Sequence, residues 1–342
     1  MTTAIPRPAA DRGRELAELA RAGERRALAR LLTEIEDRSA AGEAALRLLY
    51  PLAGAAHLVG VTGAPGAGKS TLVGALIAES RKGGRPVAVV AIDPSSPLTG
   101  GALLGDRVRM QAYAADRDVF IRSMASRGHA GGLATATVAA AAVLDAVGFP
   151  LVFIETVGSG QAEVEVTAIA DTTVVVQAPD MGDEVQAIKA GLLEVADIVV
   201  VNKGDRPGAQ RAASQLRAML TVGAQYDRAA LAEGRPRPKR PDVLLATAID
   251  GTGVPQLLAA LDRRAKARRA ALERGEPDTV RLTRARAQVE GILAERLRDR
   301  LAGPGPALEM EALVAAVAAH GLDPYAAADR ALDLLAEGST VG

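Results

Sequence analysis

The chain has 342 residues, 49% of them hydrophobic and 2% aromatic, and its 41 Lys and Arg offset its 41 Asp and Glu to a formal net charge of +0. That length suits one large α/β domain with helical additions or two ordinary domains, and the balanced charge excludes the basic surplus of a general nucleic-acid binder. The lack of cysteine excludes a disulfide framework, a Cys-based zinc site and thiol catalysis, and fits a reducing cytoplasm.

The N-terminus turns charged after Met1-Thr-Thr-Ala-Ile-Pro-Arg7 and has no apolar core for a signal peptide, so a cytoplasmic location is expected. Apolar runs such as Ala139 to Leu144 are too short to span a bilayer. Residues 1–50 read as a helical extension, because Leu16, Leu19, Ala20, Ala27, Leu28, Leu31 and Leu32 recur at three- and four-residue spacing between charged positions. From about His57 short β-rich runs alternate with helical stretches, the pattern of βαβ units and a mostly parallel sheet. Strands are expected at Leu58–Thr62, Val87–Ile92, Val119–Arg122, Leu151–Glu155, Thr173–Gln177, Ile198–Asn202 and Val243–Thr247. Helices are expected at Lys69–Arg81, Leu133–Val147, Glu184–Glu194, Ala209–Leu220 and from Val254 onward. Residues 233–241 form a basic, proline-rich connector without the aromatics that stack on bases, which favours a solvated loop over a nucleic-acid patch. Beyond Ala270 the pattern is helical again, and Val289, Ile292, Leu293, Leu297 and Leu301 make one apolar stripe. That stripe suits either a helix docked on the domain or a dimerisation helix. The expected organisation is α/β: a P-loop domain over 51–265 with helical extensions over 1–50 and 266–342.

Gly63-Ala64-Pro65-Gly66-Ala67-Gly68-Lys69-Ser70 matches the Walker A pattern between an apolar strand and a helix, with Thr71 continuing the helix. The glycines let backbone N–H groups turn inward around phosphates, and the helix N-terminus adds its positive dipole end. Lys69 is placed to reach the β- and γ-phosphates and the Ser70 hydroxyl to bind Mg²⁺. Glu155-Thr-Val-Gly158 ends another apolar strand, where a Walker B acid and a γ-phosphate-sensing glycine belong. Asp93 and Asp106 bracket a Ser/Gly/Pro loop and could approach Mg²⁺ from one side, or either could cap a helix. Asn202-Lys203-Gly204-Asp205 follows a strand and suits guanine selection. The Asp205 carboxylate can accept from N1–H and the 2-amino group, which adenine does not offer in that arrangement. Asn202 can bond the base edge, the Lys203 stem can lie along the ring, and Thr247-Ala248 can complete the base pocket. His57, His129 and His320 lie far apart and form no cluster with a metal-transfer role.

Together these motifs resemble the methylmalonyl-CoA mutase-associated GTPases, the family often called MeaB or ArgK, over roughly residues 55–260. The resemblance rests on Gly63–Thr71, Asp93–Met110, Glu155–Gln161, Gly182–Gly191 and Asn202–Asp205. It implies a GTP-hydrolysing chaperone of an adenosylcobalamin-dependent acyl-CoA mutase, gating B12 loading and protecting or reactivating the mutase. It also implies Mg²⁺ as cofactor, a homodimer joined through helical extensions, and switch segments that include Gln161, Asp183 and Lys189. Gln161 lies three residues after Gly158 rather than directly after it, so slow intrinsic hydrolysis is expected. A metal-insertion GTPase and a P-loop kinase acting on a small substrate are the competing readings.

Overall fold

The computed structural model describes residues 6–94, 113, 115–126, 132–156, 166–179, 193, 195–232, 241–303 and 306–337. Only the backbone is described at 93–94, 125–126, 132–134, 221–232, 306 and 336–337. Asp106, Gly158, Gln161, Asp183, Lys189 and the helix expected over Glu184–Glu194 lie largely or wholly outside the described residues.

Three helices open the chain: α1 (Arg7–Arg21), α2 (Arg25–Glu36) and α3 (Ala40–Leu49). Their apolar stripes bury Leu16, Leu28, Leu31, Leu32 and Leu49, and Ser39 caps α3 by accepting a hydrogen bond from the Gly42 N–H at 3.0 Å. The α/β alternation follows as β1 (His57–Thr62), α4 (Lys69–Lys82), β2 (Val87–Pro94), β3 (Val119–Ser126), α5 (Gly132–Ala146), β4 (Leu151–Thr156), β5 (Thr172–Gln177), β6 (Ile198–Val201), α6 (Ala209–Ala232), β7 (Asp242–Leu245) and α7 (Val254–Glu273). All seven expected strands form. Helix α6 runs beyond the expected Leu220, because residues 221–232 contain no proline and one glycine, Gly223, and a single glycine costs only about 1 kcal/mol.

The strands make one parallel sheet in the order β3-β2-β4-β1-β5-β6-β7. Both faces are covered, and strand periodicity divides the core accordingly. Ala88, Val90, Ile92, Val152 and Ile154 face a core shared with α1–α3 and α5. Val87, Val89, Leu151, Phe153, Val174, Val176, Ile198 and Val200 face α4 and α7 on the other side. Each fully buried Leu, Ile or Phe adds about 1.5–3 kcal/mol relative to exposure. The N-terminal helices are also fixed by charge. Arg25 donates to the carbonyls of Asp116 (2.8 Å) and Val119 (2.7 Å) and lies 5.6 Å from the Phe120 ring centre, and Arg122 pairs with Glu36 at 2.6 Å.

The chain divides into two compact units, residues 1–284 and 285–342. In the first unit α7 continues past residue 265, with Arg264 donating to the Asp197 carbonyl at 2.6 Å and Arg268 pairing with Asp171 at 2.7 Å. In the second, α9 (Pro306–Ala318) and α10 (Pro324–Glu337) pack on each other. Helix α8 (Thr279–Leu301) supplies residues to both units. Among the described residues no helix is long and apolar enough to cross a membrane.

Candidate nucleotide site at the carboxyl edge of the sheet

In a parallel sheet every strand ends on the same edge, and a crevice opens there where successive connections leave in opposite directions. Here β1 is flanked by β4 and β5, and its carboxyl end runs into residues 63–68. The loop's shape depends on glycine. Gly63 has φ +134°, and a Cβ there would lie 2.2 Å from the Val176 carbonyl oxygen of β5. Gly68 has φ +90°, and a Cβ there would lie 2.4 Å from the Asn202 amide nitrogen. No other residue reaches these conformations without strain, and none could sit this close to β5 and Asn202.

Gly68 caps α4, whose first turn carries Lys69 and Ser70. The Lys69 side chain is buried, and its ammonium donates to the carbonyls of Gly63 (2.7 Å) and Ala64 (3.0 Å). A buried ammonium needs such partners, and phosphate oxygens would replace them at the same loop. The Ser70 hydroxyl donates to Glu155 Oε1 at 2.5 Å, so the motif serine and the strand-end acid meet although 85 residues apart. Glu155 is buried at the end of β4 and pairs in register with Val61 of β1. Behind it the Thr156 hydroxyl donates to that of Thr62 at 3.1 Å, tying the ends of β4 and β1 together. The Asp93 backbone stands near the end of β2, the strand next to β4. A hydroxyl beside a carboxylate fits Mg²⁺, a hard cation that takes one or two carboxylates and completes its shell with phosphate and water.

Asn202 follows β6 and its side chain is buried. Its amide nitrogen donates to the Ala67 carbonyl at 3.0 Å and, more weakly, to that of Gly68 at 3.4 Å. Its amide oxygen accepts from the Ala248 N–H at 3.1 Å. Asn202 therefore bolts the phosphate loop to the loop after β7, and its amide is committed to backbone groups. Lys203 adopts a left-handed φ of 56°, Gly204 donates its N–H to the Ala246 carbonyl at 2.9 Å, and Asp205 is exposed. Thr247 and Ala248 are buried, and Thr247 pairs with Thr252 across a turn. Asp250 shapes that turn by accepting from the Thr252 N–H at 2.8 Å, which holds its carboxyl below the usual range.

The ends of four strands, β1, β4, β6 and β7, thus gather Lys69, Ser70, Glu155, Asn202, Asp205, Thr247 and Ala248 on one edge. The Thr62–Thr156 pair and the strut role of Asn202 gave no signal in the sequence, since both are tertiary contacts between residues with unremarkable neighbours.

This fold and loop define a P-loop nucleotide-hydrolysing domain. The chain belongs to the family described as "Methylmalonyl Co-A mutase-associated GTPase MeaB", whose model matches residues 28–304, and it is a GTPase of that family. A Pyrococcus abyssi relative that carries the name "Putative GTPase" is 44% identical over 319 residues, covering 93% of this chain and 95% of the relative. A Caenorhabditis elegans protein named "Methylmalonic aciduria type A homolog, mitochondrial" is 40% identical over 148 residues, 43% of this chain and 37% of that one. A crystal structure titled "LAO/AO transport system kinase" superposes with a TM-score of 0.64 at 26% identity, covering 97% of this chain and 99% of the other.

Proposed function

We propose that the protein is a GTP-hydrolysing chaperone of an adenosylcobalamin-dependent acyl-CoA mutase, most directly methylmalonyl-CoA mutase, gating B12 loading and protecting or reactivating the enzyme. The observation that carries this reading is the family match over residues 28–304 joined to a site whose phosphate and base loops are locked together by Asn202. The name of the C. elegans relative supports the same partner.

The chain's own groups account for the chemistry that phosphoryl transfer to water demands, which is positioning and charge neutralisation. Backbone N–H groups of the segment 63–71, Pro65 excepted, cradle the phosphates, with the α4 dipole behind them. Lys69 exchanges the Gly63 and Ala64 carbonyls for β- and γ-phosphate oxygens. Ser70 and Glu155, with Asp93 at the end of the second strand and Asp106 beyond it, would hold Mg²⁺, which would supply Lewis-acid neutralisation of the phosphate charge. Asp205 accepts from the guanine N1–H and 2-amino group, and Thr247 and Ala248 wall the base. Gly158, Gln161, Asp183 and Lys189 belong to the segments that sense the γ-phosphate and meet the partner.

The helical extension at the C-terminus is assigned to homodimerisation. Val289 and Leu293 of the apolar stripe are 64% and 66% exposed, while Ile292, Leu297 and Leu301 are half-buried. Two large apolar side chains exposed one turn apart support the dimerisation reading over simple docking.

Two measurements test the proposal in sequence. Calorimetric titration should give tight GDP binding and negligible ADP binding in Mg²⁺; equal affinity for ADP would sink the guanine assignment. GTP turnover should then be slow alone and faster with a purified B12-dependent mutase. No complex and an unchanged rate would remove the chaperone role while leaving the GTPase standing.

A further inference from the structure

The opposite edge of the sheet carries a second concave site. A pocket of about 480 Å³ opens at the amino ends of β1 and β4, lined among others by His57, Phe149, Arg268, Arg269, Leu272 and Arg281. Its size is that of a small-molecule site. His57 starts β1 and the phosphate loop follows its end, so a six-residue strand rising about 3.3 Å per residue puts roughly 20 Å between the two. The pocket is therefore separate from the nucleotide site.

Its chemistry is asymmetric. Phe149, Leu272 and nearby Pro150 and Ala265 give apolar walls, while three guanidinium groups enter from α7 and α8. Arg268 is held by Asp171 and Asp278, and Arg281 donates to the Gly54 carbonyl at 2.6 Å. Arg269 is exposed and has no hydrogen-bond or ion-pair partner among the described residues. The acid in the lining, Asp145, is taken up by the N–H groups of Gly54 and Ala56. The lining itself thus carries three guanidinium groups against one carboxylate, with Arg281 also 3.7 Å from Asp278 behind it and Arg269 left to meet a ligand. His57 is 4% exposed, its Nε2 pairs with the Thr172 hydroxyl at 2.8 Å, and its Nδ1 is buried without a partner among the described residues. A buried polar nitrogen left unmatched beside a cavity is unusual in a native protein and marks a place where a ligand atom can serve.

We infer that this pocket binds a small organic oxyanion, its carboxylate or phosphate head paired with Arg269 and Arg281 and its apolar body against Phe149 and Leu272. Arginine forks match both kinds of head group, and apolar walls select a molecule with a hydrocarbon part over a bare ion.

The test uses full-length protein saturated with GDP and Mg²⁺, so that added phosphate does not report on the nucleotide site. Three matched probes are titrated: butyrate, butyl phosphate and neutral butyramide. The readout is the ring resonances of ¹⁵N-labelled histidine, of which the chain has three, with His57 assigned by elimination through His129→Gln and His320→Gln. One or both anions should shift the His57 resonance saturably at millimolar concentration while butyramide does not, and the stronger of the two identifies the head group. Arg269→Glu, an exposed substitution compatible with folding, should weaken that binding about tenfold or more. Equal response to butyramide, no response to either anion, or binding indifferent to Arg269→Glu would each overturn the inference.

Discussion

Asn202→Ala distinguishes a residue that braces the site from one that only reads the base. The substitution deletes the 3.0 Å bond to the Ala67 carbonyl and the 3.1 Å bond from the Ala248 N–H. Each such bond contributes about 0.5–1.5 kcal/mol net, and a buried group left unpaired costs about 1–3 kcal/mol. The expected loss of ligand-free stability is roughly 2–4 kcal/mol, read in urea as a lower midpoint with an unchanged slope. Since Ala67 and Gly68 belong to the phosphate loop, binding of pyrophosphate, a probe without a base, should weaken as well. A loosened loop that costs about 1.4–2.8 kcal/mol in binding gives a ten- to hundredfold effect. If GDP binding falls while pyrophosphate affinity and ligand-free stability are both unchanged, Asn202 acts on the base edge alone and the strut argument fails.

Asp205→Asn should lower GDP affinity by about 10⁴-fold, the scale for a site left with mismatched polar groups, and should favour xanthosine diphosphate, whose 2-oxo group can accept from the new amide; a loss under tenfold in calorimetry would contradict the assigned contacts. Gly63→Ala should cost about 2 kcal/mol or more of stability, because its φ of +134° and the Val176 carbonyl 2.2 Å from the new Cβ leave no relaxed conformation; an unchanged thermal midpoint would refute that geometry. The buried His57 imidazole is pushed down from 6.5 to about 4, chiefly by burial, with Arg85 and Arg268 adding to the shift and Asp171 and Asp262 opposing it. Between about pH 4 and 6.5 the unfolded chain binds this proton and the folded chain does not, so stability should rise with pH across that window by roughly 3 kcal/mol. The carboxylates of Asp116 and Asp278 are held below 3.8 and lose their contributions at lower pH, so their effect falls outside the window. Denaturant titrations of wild type and His57→Gln should differ in slope there, and equal slopes would remove His57 as the cause.

Much of this protein was legible in its sequence because its chemistry is local. Seven apolar runs alternating with amphipathic stretches determined the parallel sheet, since buried parallel strands must be apolar on both faces. Gly63–Ser70 declared a phosphate loop because inward-pointing amides require glycine at fixed offsets, and the proposed guanine role of Asn202–Asp205 was suggested by a carboxylate placed just after an apolar strand. Contacts between distant segments were decided only by the tertiary structure. It brought Ser70 to Glu155, turned the Asn202 amide toward Ala67 and Ala248, and tied Thr62 to Thr156. It also gathered His57, Phe149, Arg269 and Arg281 around one pocket from four separate segments. No periodicity or spacing encodes such meetings. They follow from strand order and register, which place residues far apart in the chain within hydrogen-bonding distance at the ends of one sheet.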